Sequence, residues 1–597
     1  MAGKIIRIGG ASGFWGDAAM ATPQLLTDGN LDYLVYDYLA EITMSIMARA
    51  RAKDPRLGYA TDFLTSAMKP NLEEIARQRV KVIANAGGVG LEACAEALRG
   101  LIRAMGLDLK VAVVSGDDLI GRRISLAERG LTEMFSGEPF PPADSIASIN
   151  AYLGAFPIAD ALGRGADIVI TGRCVDSAVT LGACIHEFGW GREDYDRLAG
   201  GSLAGHILEC GTQATGGNFT DWERVVDTMP DAGYPIAEVE ADGSFVCTKP
   251  AGTGGMVSVG TVAEQMVYEI GDPGAYILPD VSCDFCAVRM EQQGQDRVRV
   301  SNARGRKAPA AYKVSATHAD GFRGGEVWTI YGRDAERKAR KIADNAFARA
   351  RRMLELKGLP DFTDTCVELI GAEAHYGAAR QVGDVREIDM KVAARHPSAA
   401  GIGILFKEFI GTALAAPPGL TAFAGRPRPS PVVRLFSFLL PKQEIEITVE
   451  VEGDARMVND PAPSPADDSG KESIETPRAP DLSGETTTVP LERLAWGRSG
   501  DKGNNANIGI IARRPDYMPY IWATLTPERV AGRFAHFLRG PVERFLLPGL
   551  PAMNLLLHDV LGGGGVASLR NDTQGKGYAQ LLLDEPIHIR KSLLEAD

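Results

Sequence analysis

The chain has little cysteine: eight residues in 597, scattered rather than set at framework spacing. That excludes a disulfide-stapled secreted fold and suggests a reducing compartment. It has no surplus of positive charge, since 64 Lys+Arg stand against 77 Asp+Glu, a formal net charge of −13. An acidic balance argues against a nucleic-acid partner. No apolar run reaches the ~18 residues of a membrane span; Leu435–Leu440 is too short. The start, MAGKIIRIGGASGFWG, lacks the apolar core of a secretory signal. A cytoplasmic protein with no membrane partner is expected. Three catalytic signatures are also missing. There is no G-x-x-x-x-G-K-[ST] phosphate loop, no H-E-x-x-H metal helix and no G-x-S-x-G nucleophile elbow.

Glycine is what the chain has in excess, with 68 residues against a usual share of about 7%. In the first third it collects after short apolar runs. Lys4–Ile8 leads into Gly9-Gly10-Ala11-Ser12-Gly13 and on to Asp17. Tyr33–Tyr36 leads into Asp37-Tyr38, and Val80–Ala84 into Asn85-Ala86-Gly87-Gly88. Leu109–Val114 precedes Ser115-Gly116-Asp117-Asp118, and Asp167–Ile170 precedes Thr171-Gly172-Arg173-Cys174-Val175-Asp176. Helical patterns near 39–50, 91–104 and 177–188 alternate with these runs. Continuous apolar strands alternating with helices predict an α/β fold with a mostly parallel, doubly wound sheet, covered on both faces. Such a sheet binds ligands at the carboxyl ends of its strands.

Four segments follow from the pattern. Residues 1–300 form the α/β domain with the glycine-rich strand-end loops. Residues 301–452 form an α+β region, with strands at Tyr312–His318 and Glu326–Tyr331 around Asp320-Gly321 and a long helix near Asp334–Leu356. Residues 453–488, with five prolines and few large apolar residues, are expected to be a disordered linker. Residues 489–597 form a small C-terminal domain, with helices near Pro527–Leu538 and Ala552–Leu561 and a strand near Tyr578–Leu583.

Each motif has a functional and a plain reading. Gly10, Ser12 and Gly13 follow a strand without the G-x-G-x-x-G spacing; their amides suit an anion, and a tight turn explains them equally. Asn85 with Gly87 and Gly88 suits a carbonyl-polarising turn or an ordinary helix start. Asp117 and Asp118 offer an acid/base if burial raises one pKa, or a capping turn. Arg173, just past a buried strand and after Gly172, suits a two-point clamp on an anion; Asp176 caps the next helix or holds Arg173. Cys283-x-x-Cys286 has no second pair and reads as two plain thiols; His206 and Cys210, four apart, are too few for a metal site, and no metal is expected. The basic residues from Arg337 to Arg352 read as a solvated helix face. In the C-terminal domain, Arg498 through Asn505, with Lys502 and Asn504, and Gly562–Gly565 followed by Ser568 through Lys576, with Arg570, combine turn residues and cations that suit phosphate.

Together, Ile8–Asp17, Tyr38–Met44, Asn85–Gly88, Gly116–Asp118, Asn150–Pro157 and Asp167–Trp190 resemble the acyclic terpene utilisation (AtuA-like) family. Trp496–Asn504 and Ser568–Lys576 resemble the ferredoxin-fold module that accompanies it. Where the family's Asn-Ala-Gly-Gly turn continues with Asn-Pro, this chain has Val89-Gly90. The resemblance implies catabolism of branched terpenoid or related acids as acyl-CoA thioesters, and a ferredoxin-like α+β fold for 489–597. It brings no established catalytic residues.

The expectation is an enzyme that hydrates, dehydrates or cleaves a carbon–carbon bond in an acyl-CoA. Asp117 or Asp118 would be the acid/base, Arg173 the anion clamp, and Asn85 with Gly87–Gly88 the carbonyl-polarising turn. Lys502 and Arg570 would meet the CoA phosphates. Coenzyme A enters as part of the substrate, no cofactor is held tightly, and a homo-oligomer is expected. A non-catalytic acyl-CoA-binding scaffold, and a CoA transferase or thioesterase, are the alternatives.

Overall fold

Five of the apolar runs become the centre of the largest sheet: β1 (Ile5–Gly10), β2 (Tyr33–Tyr36), β3 (Lys81–Ala84), β4 (Val111–Ser115) and β6 (Ile168–Thr171), while β5 (Ile146–Ala151) joins another sheet. The computed structural model describes residues 3–17, 19–423, 427–461, 474–565 and 567–595. The five strands lie parallel in the order β1-β2-β3-β6-β4. Alternate side chains go to opposite faces. Leu34, Val82 and Ile168 pack with Leu25, Leu72 and Leu98 of the helices Ala21–Asp28, Lys69–Gln78 and Leu91–Ala104. Tyr33, Ile83 and Val169 pack with Ile158, Leu181 and Leu203 of Phe156–Gly163, Ala178–Phe188 and Tyr195–Leu208. Burial on both faces is why these runs are continuously apolar.

The sheet as a whole is mixed, which corrects the expectation of a mostly parallel one. Ile236–Glu240 pairs antiparallel with β1, and Ile447–Val451 antiparallel with β4, so the sheet reaches eleven strands. Its outer strands arrive as hairpins, which need only short turns and leave no crossover helix in the sequence. One of these turns, Glu452-Gly453, has positive φ at both residues, the geometry of a tight hairpin. It returns the chain into Asp454–Val458, a strand within the stretch expected to be linker. Asp460 then ion-pairs with Lys442, both nearly buried. Of the expected linker, residues 462–473 lie outside the described residues, and Thr486–Pro490 pairs with Pro586–Arg590.

In the middle region the two expected strands are one, Ala311–Tyr331, with a register shift between Ala319 and Phe322. Gly321, at φ +74°, carries the bulge. This strand pairs with β5, Glu387–His396 and Ser430–Pro441. The helices Ala335–Leu356 and Ala399–Gly411 cover one side.

The C-terminal domain has a four-stranded antiparallel sheet in the order Ala495–Lys502, Asn505–Ala512, Ala552–Leu557, Val542–Leu547. Two assignments reverse here. Ala552–Leu557 is a strand where a helix was expected, and Tyr578–Leu583 is a helix where a strand was expected. Both are short apolar runs, whose periodicity cannot separate the two states.

Candidate functional site

The helix after β3 lies on one face of the sheet and the helix after β6 on the other, so the loops leaving these neighbouring strands diverge. In open α/β sheets ligands bind at such a point. On the near side, Asn85 ties two strand ends together. Its Nδ2 donates to Asp37 Oδ1, and its Oδ1 accepts from the Tyr38 N–H at 2.7 Å. Ser12 Oγ donates to the Asp37 carbonyl at 3.1 Å. Asp37 itself is buried. Burial, with Asp176 nearby, holds its carboxyl well above the usual range although Arg173 opposes this. Burial of this kind favours the protonated form of Asp37.

On the far side stands Arg173, its side chain 4% exposed. Nη1 donates to Asp176 Oδ1 at 2.7 Å and to the Cys174 carbonyl at 3.0 Å. The guanidinium lies 4.2 Å over the Tyr152 ring, on which Lys313 also sits, at 4.9 Å. Asp117 holds this loop in place: its Oδ2 accepts from the Arg173 N–H and from Asn150 Nδ2, each at 2.8 Å. Burial pushes the Asp117 carboxyl up to about 7. Adjacent residues point apart, and Asp118 shows it. Its carboxylate accepts from the Ile120 N–H and pairs with Arg51, both at 3.0 Å.

The end of helix Tyr195–Leu208 brings a pair that the sequence reading passed over. His206 Nδ1 lies 2.9 Å from Glu209 Oε1, with side chains 1% and 11% exposed. Burial raises the Glu209 carboxyl. For His206 burial opposes the charge, but Glu209 outweighs it and holds the imidazolium up. Both shifts favour the proton-bound form, and groups this close titrate as a coupled pair. Glu209 feels the charge of Asp176, and Asp37 feels that of Glu209, so the pair lies near the same strand ends.

The edge glycines serve close approach. A Cβ on Gly10 would lie 2.8 Å from the Leu208 carbonyl oxygen, and one on Gly13 2.9 Å from the Cys210 backbone. At Gly172 it would meet the Asp117 carboxylate at 2.2 Å, and at Gly87 the Thr171 carbonyl oxygen at 2.7 Å. Gly88, at φ +51°, packs on Met47. These glycines let the helix end at 208–210 and the Asp117 strap press onto the strand ends.

The C-terminal domain docks beside this site and divides its predicted residues. Lys576 Nζ lies 3.0 Å from Glu269 and 3.2 Å from Asp501, and Lys502 Nζ lies 3.5 Å from Glu269. The charge of Lys502 reaches Glu209 and His206. Asn504 instead bonds Asp559 and the Gly563 N–H, and Arg570 stacks 4.4 Å over Phe537; both stay within the domain. None of the eight cysteines falls after residue 366, so this domain supplies no thiolate for an iron–sulfur cluster.

Of the predicted residues, the site gathers Asn85, Asp117, Arg173, Asp176 and Ser12, with Lys502 near. Asp37, His206 and Glu209 are the additions. Asp37 had a signal, since it follows a strand as the other edge residues do. Among the described residues, no three His, Cys, Asp or Glu side chains are placed to hold a metal ion, and no helix is long and apolar enough to cross a membrane.

Comparison with curated proteins finds no match, and comparison with solved structures finds none. Two families do match. The AtuA ferredoxin-like domain covers residues 489–588, and the acyclic terpene utilisation family protein AtuA covers residues 6–451. With three-quarters of its length matched, and a candidate site built from the strand ends within that match, this chain belongs to the AtuA family of acyclic terpene utilisation.

Proposed function

We propose that the chain is an enzyme of branched acyclic acid breakdown that adds water to, or removes it from, an acyl-CoA thioester. Carbon–carbon cleavage beside the thioester carbonyl is the nearest variant. One observation carries the reading. Two buried carboxyls held above their usual range, Asp37 and Glu209, the second 2.9 Å from His206 Nδ1, both feel the charge of Asp176, the partner of the buried Arg173 guanidinium. Buried carboxyls with raised proton affinity beside a fixed cation are candidates for proton transfer.

In this reading Arg173 stabilises the negative charge that develops on the thioester oxygen, where a buried donor acts most strongly. Glu209, backed by His206, takes the proton beside the carbonyl, and Asp37 donates one to the departing oxygen or takes it back in hydration. Asn85 orients Asp37. Asp117 and Asn150 hold the Arg173 backbone; Asp118, committed to Arg51, takes no part. Lys502, half-exposed at a hairpin tip, meets the CoA phosphates. Glu209 Oε2 is buried with no hydrogen-bond partner. That favours one second reading, CoA transfer, in which this oxygen attacks the thioester carbonyl and expels the CoA thiolate.

The test is incubation of the protein with branched unsaturated and 3-hydroxyacyl-CoAs in deuterated water, read by mass. Gain or loss of one water, or deuterium uptake beside the carbonyl, that disappears in Asp37→Asn supports hydration chemistry. Release of free CoA with acyl-enzyme formation at Glu209 supports transfer. Binding without any mass change leaves a scaffold and removes both.

A further inference from the structure

Helix Val259–Val267 is the wall behind His206. Its Met266 carbonyl lies 3.2 Å from His206 Nε2, and Gln265 Nε2 donates to the His206 carbonyl at 3.0 Å. With Nε2–H given to a carbonyl, Nδ1, 2.9 Å from Glu209 Oε1, is the ring nitrogen left to exchange a proton. The Met266 carbonyl therefore helps to fix the orientation of the ring.

A helix end leaves its last carbonyls without partners inside the helix. Here the last of them, and two carbonyls just beyond the helix, are met from another domain. Asn507 Nδ2 donates to the Val267 carbonyl at 2.6 Å, and Asn554 Nδ2 to those of Ile270 and Gly271 at 2.5 and 2.6 Å. Asn507 Oδ1 accepts from the Glu269 N–H at 2.9 Å, where Glu269 holds a left-handed φ of +57°. Asn507 also donates to Asn554 Oδ1 at 3.0 Å. Both asparagines are fully buried, on neighbouring strands of the C-terminal sheet. Gly509 allows the approach, since a Cβ there would lie 2.1 Å from the Val267 side chain. Amides placed this way in the middle of strands contribute nothing to their own sheet's apolar core; their partners are all on the other domain or on each other.

We propose that the C-terminal ferredoxin-like domain is a working part of the site, with Asn507 capping the end of helix 259–267 and Asn554 holding the segment that follows it, both as positioning residues for the Met266 carbonyl that faces His206. The inference rests on the reading of His206–Glu209 as the proton-transfer pair. Its test therefore uses a readout that needs no turnover.

The full-length protein with ring-labelled histidine is titrated by NMR, the His206 signal being assigned by its loss in His206→Gln. Asn507→Asp keeps the acceptor for Glu269 and removes the donors; Asn554→Ala frees the carbonyls of Ile270 and Gly271 and serves if the first variant does not fold. Either is expected to lower the His206 titration by about one pH unit, equivalent to a tenfold change in proton affinity. Where turnover is measurable, kcat falls about tenfold with KM within twofold, and its pH profile shifts alike. Arg544→Ala, which removes a stack on Trp522 inside the domain, loosens the domain without moving the titration. An unchanged His206 titration in folded Asn507→Asp and Asn554→Ala overturns the proposal. A shifted titration in a protein with no turnover on any thioester keeps the positioning role and removes the hydration reading instead.

Discussion

The loops at the sheet edge and those of the C-terminal domain both join glycine to charged and amide residues, yet their glycines do different work. Gly10, Gly13, Gly87 and Gly172 make room: each stands where a Cβ would collide with backbone or with a carboxylate. Gly503, Gly562 through Gly565 and Gly575 all have positive φ and make turns. Glycine of the first kind presses charged groups together beneath a tight seam. Glycine of the second kind shapes a surface that docks, through Arg323 to the Ser568 carbonyl and Lys391 to the Leu569 carbonyl, each at 2.8 Å. Chemistry is expected where backbone has been brought close around buried charge.

That contrast can be broken by substitution. The largest effects belong to the edge. Arg173→Ala and Asp37→Asn are each expected to lower kcat/KM on the true thioester by roughly 10²–10⁴-fold, the scale of a lost charge stabiliser or acid. A loss under tenfold in both would remove the edge from the chemistry.

Next comes the glycine comparison itself. Gly172→Ala drives a methyl into the Asp117 carboxylate and should cost about 1–3 kcal/mol in urea unfolding, with turnover falling too. Gly503→Ala meets open space and only the strain of its positive φ, about 1 kcal/mol, with turnover kept. Equal costs and equal activity would erase the distinction between the two kinds of glycine.

Asp117 gives the contrast a pH signature. Its folded pKa of about 7 lies above the ordinary value near 4. The folded protein thus holds a proton that the unfolded chain has released. Its stabilising contribution is complete below about pH 4 and is lost as pH rises to about 7. The slope is up to about 1.4 kcal/mol per pH unit. Asp117→Asn should flatten stability over that window, measured as the urea midpoint at each pH; a parallel pair of curves would show that Asp117 does not hold the proton.

The smallest effect is expected at the docking side. Lys502→Ala should raise KM for the CoA thioester about fivefold with kcat unchanged, the worth of one half-exposed ion pair, and the difference should shrink in high salt. No dependence on Lys502 at low salt would detach the domain's hairpin from the thioester's phosphates.

The central strands were legible because burial on both faces writes continuous apolar runs, and Arg173 because it follows one of them. The flanking hairpins were not, since Ile236–Glu240 and Asp454–Val458 carry polar residues and need no crossover. Ala552–Leu557 and Tyr578–Leu583 exchanged states because six apolar residues show no period. Glu209 was hidden for another reason: it follows a helix whose seat on β1 depends on Gly10 and Gly13, a contact between residues about two hundred positions apart. Asn507 and Asn554 read as strand interior, and only the docked domains show what their amides cap.

The most direct test of the account is a crystal structure with a branched acyl-CoA analogue whose thioester sulfur is replaced by methylene. The account predicts the analogue's carbonyl oxygen within hydrogen-bond distance of the Arg173 guanidinium, with Asp37 on one side of the acyl chain and Glu209 on the other. An analogue bound with its carbonyl away from Arg173, or at another surface of the protein, would contradict it.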